Sequence, residues 1–381
     1  MKLFLIFHGR FPSDKAASLF AAKSAEAFAE SGLDVTLVVP KRLGIVDEDP
    51  YVYYSIERNF KIEYIKTIDL YNNPILKPLA FWLSYISFSF FTRIYLRQRS
   101  KKEDIIYSNE ILPLVLNSKI RKNCFYEMHD FPESKIWLFG KYLAKMKWIL
   151  IHNRWKLEEA QKLFPVIDRN RFLYEPNAVD LKDFDIEISK VEARKQLGLS
   201  ENKKIIIYTG HLYEWKGVYT LAESAKLLPS DCVVIFVGGT DKDVKKFRQI
   251  YESVETIKIV GHVKHSLVPV WQKAGDVLIL PNTAKEKISA FYTSPMKLFE
   301  YMASRRPIIA TDIPSIREIL NNKNALIVEA DNPEKMKQVI VESFRSTSVG
   351  YELAEKAFAD VSNHTWHKRA NRIINFIKLN A

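Results

Sequence analysis

Six short apolar runs, at residues 204–208, 232–237, 256–260, 276–280, 307–310 and 325–328, recur through the second half of the chain, with helical patterns filling the gaps. Runs of this length read as strands buried on both faces. Successive strands separated by helices pair in parallel, because the chain crosses back over the sheet before each new strand. The alternation therefore demands a mostly parallel α/β sheet covered by helices on both faces. The first half opens in the same way, with a strand at 2–7, an Ala-rich helix at 13–31 closed by Gly32, and a strand at 34–39. Further strands are expected at 104–107, 124–128, 148–152 and 172–174, and helices at 79–99, 134–146 and 155–164. Residues 46–70 are mixed, with Tyr51, Val52, Tyr53, Tyr54 and residues 60–65 suggesting strand. At 381 residues, two domains of comparable size are the natural division. The fold class is α/β with two Rossmann-like doubly wound domains. The acidic, irregular run 180–190 reads as the linker, placing the domains at 1–183 and 184–363, with a last helix in 364–381.

With 47% hydrophobic and 27% charged residues the chain can bury two sizeable cores, and nothing in it reads as disordered. Cys124 and Cys232 sit in apolar, strand-like runs of different halves, so buried free thiols are expected, and a reducing cytoplasm fits. The first twelve residues hold one lysine and an apolar run too short for a signal peptide. The longest apolar stretch, 78–92, is interrupted by Ser84, Ser87 and Ser89 and falls short of the roughly 20 residues a spanning helix needs, so no transmembrane helix is expected.

The formal net charge is +12, and residues 77–156 alone carry 15 Lys or Arg against 6 Asp or Glu. Interleaved aromatics, among them Phe81, Trp82, Phe90, Trp137 and Tyr142, suit an anionic membrane surface or a pyrophosphate-linked lipid acceptor. The expected location is cytoplasmic, peripheral on the inner face of the cell membrane. A core helix with a solvated basic face is the competing reading. Nucleic acid is not an expected partner, since no recognition module accompanies the charge.

Residues 292–311, YTSPMKLFEYMASRRPIIAT, hold the densest chemistry. Ser294 suits an N-cap and Pro295 the first helical position. Met296, Phe299 and Ala303 form a core-facing stripe, while Lys297 and Glu300 lie one turn apart, away from much of it. The free N–H groups of such a helix start favour a phosphate, with Lys297 adding charge and Glu300 accepting from hydroxyl groups. An amphipathic helix with solvated charges is the alternative.

With Lys297 three residues before Glu300, the stretch resembles the signature of retaining glycosyltransferases of the GT-B architecture, specifically glycosyltransferase family 4, which reads Glu-x7-Glu. Tyr292 occupies the position of the first Glu. The resemblance extends to other strand ends. Thr209 to Gly217 is similar to the family's Gly-Arg-Leu…Lys-Gly loop, with His211 in place of the arginine and Lys216 retained. Glu175 to Asp180 resembles the turn that ends the first domain, and residues 365–379 resemble the closing helix that crosses back to it.

What the resemblance implies is a GT-B fold with two domains facing a central cleft. It also implies transfer of a sugar from a UDP- or GDP-sugar to an acceptor hydroxyl with retention, in glycan or glycolipid biosynthesis of the cell envelope. Lys216, His129 and Glu300 are the implied catalytic residues. Gly9, Arg10, Gly210, His211, Gly238, Gly239, Val263, Tyr292, Thr293, Ser294, Pro295, Lys297 and Glu300 would bind the donor, and Asp130 the acceptor. Closure of the domains would exclude water and bring His129 and Gly9 onto the donor. No metal and no cofactor are expected, since basic side chains can neutralise the departing diphosphate. Two rivals are a catalytically degenerate nucleotide-sugar-binding subunit, suggested by Tyr292 and His211, and a nucleotide-sugar epimerase of the same fold.

Overall fold

The computed structural model describes residues 1–42, 47–71, 75–119 and 123–380. The chain divides into two compact units, Met1–Glu175 with Trp366–Ala381, and Pro176–Thr365. In the first unit the strands are β1 Lys2–Ile6, β2 Asp34–Lys41, β3 Lys61–Lys66, β4 Ile105–Ser108, β5 Cys124–Met128, β6 Trp148–Ile151 and β7 Phe172–Tyr174. They pair in the order β3-β2-β1-β4-β5-β6-β7, always in parallel. β4, β5 and β6 are buried along their whole length, which is why they read as uninterrupted apolar runs.

The second unit holds β8 Lys204–Thr209, β9 Cys232–Val237, β10 Ile257–Gly261, β11 Val277–Leu280, β12 Ile308–Thr311 and β13 Leu326–Val328. Their order is β10-β9-β8-β11-β12-β13, again parallel. In both sheets the strand order reverses once, between β1 and β4 and between β8 and β11. Helices leave such neighbouring strands toward opposite faces, so a crevice opens at their carboxyl ends, and open α/β sheets bind ligands there.

Several expectations need correction. Tyr51 to Tyr54 do not form a strand: Pro50–Tyr53 is a helical turn, started by the Asp49 carboxylate, which accepts from the Tyr51 and Val52 N–H groups. The mixed segment 46–70 begins on a residue outside the described ones. The helix expected at 134–146 is shorter, Ile136–Leu143, because Lys135 adopts a left-handed conformation with φ of +51°. The run 180–190 is not a linker. Leu181–Phe184 is helical, Phe184 is buried in the second unit's core, and Val179 bridges to Thr365. The chain therefore changes unit at 175/176 and 365/366, not at 183/184 and 363/364.

The last helix, Trp366–Leu379, belongs to the first unit, burying Ile373, Ile374 and Ile377. Both cysteines are free and buried. The length argument at 78–92 also fails, since that stretch continues into the helix Lys77–Arg99, and Pro78–Arg99 is long and apolar enough to cross a membrane. That helix is nevertheless woven into the first unit. Ala80, Phe88, Thr92 and Leu96 are fully buried, Ser87 Oγ accepts from the Ile68 N–H at 3.0 Å, and Tyr85 Oη accepts from the Leu112 N–H at 3.2 Å.

Candidate functional site

In the second unit, the loops after β8 and β11 and the helix Met296–Ala303 converge. The Gly210 N–H donates to Val237 at 2.8 Å and the Gly238 N–H to Gly261 at 2.6 Å, so the glycine-bearing ends of β8, β9 and β10 lie side by side. A Cβ on Gly210 would lie 4.0 Å from Lys297 Nζ, which itself stands 3.9 Å above the Tyr208 ring. Gly217 has φ of +72°, and a Cβ there would meet the Pro281 carbonyl oxygen at 1.8 Å, so only glycine lets the Lys216 loop close onto the end of β11. Lys216, Lys297 and Glu300 interact electrostatically.

Lys297 and Glu300 are not solvated charges. The helix is buried nearly all round, leaving Lys297 8% and Glu300 9% exposed. Glu300 Oε1 lies 3.8 Å from His265 Nε2. Lys297 Nζ has no hydrogen-bond partner among the described residues. Burial first, then the Lys216 cation, hold the Lys297 amine well below the ordinary lysine value, against the pull of Glu300. Burial also lowers Lys216 to about 8, again opposed by Glu300.

Ser294 does not cap this helix. Pro295 is the extended N-cap residue and no side chain caps the first turn. Instead Asn177 Nδ2 donates to the Ser294 carbonyl at 2.5 Å and the Asn177 N–H approaches Ser294 Oγ at 3.4 Å. The Leu298 N–H turns back to the Pro295 carbonyl at 3.1 Å, and the helix start carries no side-chain cap, an arrangement in which first-turn N–H groups can receive an anion. Tyr292 ends a π-helical turn, Ile288–Tyr292, with Thr293 beyond it in an extended conformation. His211 stacks on Tyr213 at 4.9 Å, and Lys216 Nζ stands 5.1 Å from the Trp215 ring. Val263 packs on the unit's core, and Gly239 backs onto Leu212 and Val244.

Sequence reasoning missed Asn282, just past β11. It is 1% exposed, its Oδ1 has no partner among the described residues, and its Nδ2 approaches Ser289 Oγ at 3.4 Å. A buried amide without a full set of partners at the strand-order reversal is a signal only tertiary structure carries.

In the first unit the loops after β1, β4 and β5 carry the polar groups. A Cβ on Gly9 would fall 2.1 Å from the Phe7 ring, so that ring position requires a glycine. His8 is buried, and Arg42 Nη2 donates to its Nε2 and to its carbonyl, each at 2.8 Å. Burial and the Arg42 cation lower His8 to about 3, so it is neutral. Arg10 and Arg42 both face the Tyr71 ring, at 5.8 and 5.1 Å. Asp130 is exposed, and His129 is half-buried with its ring edge-on to Phe20. Lys156 Nζ, fully buried, donates to the His129 carbonyl at 3.0 Å and to the Met128 carbonyl at 3.2 Å, which fixes the loop.

Behind His129 lies a buried network the sequence did not reveal. Glu127 Oε1 accepts from Arg369 Nη2 at 2.5 Å and from His152 Nε2 at 2.6 Å, while Tyr107 donates to Oε2. His129 Nε2 stands 3.5 Å from the same Oε1. Burial alone would raise the Glu127 carboxyl, but Arg369 and the two histidines outweigh it and hold it well below the usual carboxylate range. The ligand atoms of Glu127, His129 and His152 lie within 4.8 Å of one another, as a metal site needs. The Arg369 guanidinium already supplies the cation at that carboxylate. Glu110, following β4 and so placed by strand order between the β1 and β5 loops, is another unforeseen group. Burial and Asp130 raise its pKa, against Tyr85, His129 and Arg42.

Two parallel-sheet, Rossmann-like units of seven and six strands constitute the GT-B architecture, and solved structures of that class superpose on the whole chain. Anabaena Alr3699/HepE, crystallised with UDP and glucose, aligns with a TM-score of 0.75 at 16% identity over 99% of each chain. Residues 203–345 match the protein family described as Glycosyl transferases group 1. Among curated relatives, the lipopolysaccharide core biosynthesis mannosyltransferase LpsB of Rhizobium meliloti is 27% identical over 42% of this chain and 47% of its own length. The processive diacylglycerol alpha-glucosyltransferase of Acholeplasma laidlawii is 24% identical over 43% and 48%. The chain thus spans about half the length of the curated relatives it matches.

Proposed function

We propose that the protein is a glycosyltransferase moving a sugar from a nucleotide-diphosphate sugar to an acceptor hydroxyl, with retention at the anomeric carbon, in glycan or glycolipid biosynthesis. The observation that carries this reading is the Lys297 amine, buried beside Lys216 at the β8 strand end with no hydrogen-bond partner among the described residues. A cation so placed favours an anion that displaces water and completes its coordination. The family match over the same residues and the relatives' printed mannosyl- and glucosyltransferase activities support glycosyl transfer.

When the carbon–oxygen bond to the diphosphate breaks, negative charge develops on the leaving oxygen. Lys216, Lys297 and the uncapped helix start at Met296 present positive potential there before the reaction begins, which lowers the barrier without reorganisation and without a divalent ion. Glu300 accepts from donor hydroxyls. His129, with Glu127 behind it, and Asp130 serve the acceptor side. UDP- and GDP-sugars are the expected donors.

The test is transfer from a panel of nucleotide sugars to lipid-linked and soluble glycan acceptors, beside thermal shift with each donor. A donor that raises the melting temperature and is turned over only with an acceptor supports the reading. Binding without turnover on any acceptor, or conversion of the donor without acceptor, overturns it.

The two lysines also set a pH dependence. A bound diphosphate raises both amines' pKa values, so binding takes up protons wherever the free amines are neutral. Lys216 is already charged below about 8 and contributes no slope there. Above pH 8 its neutral form dominates, and UDP or GDP affinity is expected to fall toward about tenfold per unit. Lys297, also held below the ordinary lysine value by burial and by Lys216, adds a slope of the same sign. Titration calorimetry between pH 7 and 9.5 reads this, and Lys216→Met removes the part above pH 8.

A further inference from the structure

We infer that the outer face of the helix Lys77–Arg99 is a docking surface for an anionic lipid bilayer. Leu79, Trp82, Ile86 and Phe90 are each 54–58% exposed, and Ile94 is 41% exposed. Their spacing of three or four residues puts them on one continuous stripe, which Arg93 and Arg97 extend. Single exposed apolar residues are ordinary; a row of five along one helix marks an interaction site. Trp137, 66% exposed, lies on the helix Ile136–Leu143, which packs against the same face of the sheet.

Charge selects the occupant. The helix Lys77–Arg99 contains no Asp or Glu, and it ends in Arg97 and Arg99, followed by exposed Lys101 and Lys102. None of these four, nor Arg93, has an ion-pair partner among the described residues. A second copy docked by the same face would set arginines against apolar side chains with no counter-charge. At a bilayer of anionic lipid the stripe enters the acyl boundary while the arginine and lysine heads reach the phosphates. The helix lies on the bilayer rather than crossing it, because its other face carries side chains bound into the first unit: Ser84 Oγ lies 3.1 Å from His8 Nε2, and Ser87 and Tyr85 hold two backbone N–H groups. Its first turns stand beside the β1 strand end, with the Phe81 ring 5.8 Å from the His8 ring. Lipid head groups are thereby brought to the loops that carry Gly9, Arg10 and Glu110.

The test is flotation of the full chain, without donor or acceptor, on vesicles of phosphatidylcholine alone or with one quarter phosphatidylglycerol. The protein is expected to float with the anionic vesicles at low salt and several-fold less at high salt. Ile86→Ser with Phe90→Ser is expected to lower partitioning at least tenfold, with the melting temperature kept, since both side chains are exposed. Arg93→Glu with Arg97→Glu provides an independent variant that leaves the apolar stripe whole, and a loss of similar size is expected. Indifference of the natural protein to anionic lipid at low salt overturns the inference, as does full flotation of either double variant. A dimer that the serine variant dissociates, with no lipid binding, assigns the stripe to a second copy instead. None of these outcomes depends on whether the protein transfers a sugar.

Discussion

Replacing Lys297 by methionine is expected to raise the melting temperature of the second unit and to slow transfer from the proposed nucleotide-sugar donor. The amine is buried without a hydrogen-bond partner among the described residues, so methionine removes a desolvated polar head and keeps the stem's packing. A gain of about 1–2 kcal/mol is expected, equivalent to roughly 3–6 °C for a unit of this size. Transfer from the nucleotide sugar should fall about 10²–10³-fold, the loss seen when one preorganised group is removed from a developing anion. The sign of the pH effect follows. The folded state binds fewer protons than the unfolded chain between the depressed Lys297 pKa and the ordinary lysine value. Stability therefore rises with pH through that window, and the methionine variant loses the slope. Differential scanning calorimetry at pH 7 and 9 with parallel transfer assays checks both halves. A lower melting temperature with donor binding intact would mean that Lys297 serves only to pack on Tyr208.

Arg369→Met should be the most damaging single change in the first unit. Arg369 is 2% exposed and its guanidinium is the only full positive charge among the described groups hydrogen-bonded to Glu127. Removing it strands a buried carboxylate beside Tyr107, at an expected cost of about 3–5 kcal/mol, roughly 6–20 °C in melting temperature. The deficit should shrink at acid pH, because protonation of Glu127 or His152 then neutralises the site; each takes up a proton more readily once Arg369 is gone. Urea unfolding at pH 5 and pH 8 reads the difference. Equal destabilisation at both pH values would show that the loss is one of packing and not of charge. Because His129 stands 3.5 Å from the same carboxylate oxygen, the variant should also disturb the His129 loop while leaving nucleotide binding in the second unit unchanged.

How much of the site could be read in advance depends on distance along the chain. Gly210, Lys216, Lys297 and Glu300 stood out as candidates because each lies in a loop or helix start with a local pattern, and the parallel sheet brings such strand ends to one edge, where the four lie together. Glu127 and Arg369 were not, being 242 residues apart, and nothing in either neighbourhood names the other. Asn177 binding Ser294 across 117 residues likewise displaced a capping role that local propensity favours. Asp180 to Lys190 looked like a linker because it is acidic and irregular, yet Phe184 is buried in the second unit's core with Leu181 packed against it, and Ile186 and Ile188 pack on a smaller cluster beside Ala193 and Val270.

The sequence by itself determined two parallel sheets and the position of their strands to within about a residue in the second unit. Periodic hydrophobicity is a local property and survives without knowledge of partners. The tertiary structure alone decided which charges are buried, which of them are paired, and therefore how they titrate. Lys297 and Arg369 are both buried basic side chains; Arg369 has a carboxylate at 2.5 Å, whereas Lys297 has no hydrogen-bond partner among the described residues. Desolvation and pairing depend on what packs around a group in space, so that difference is absent from the sequence.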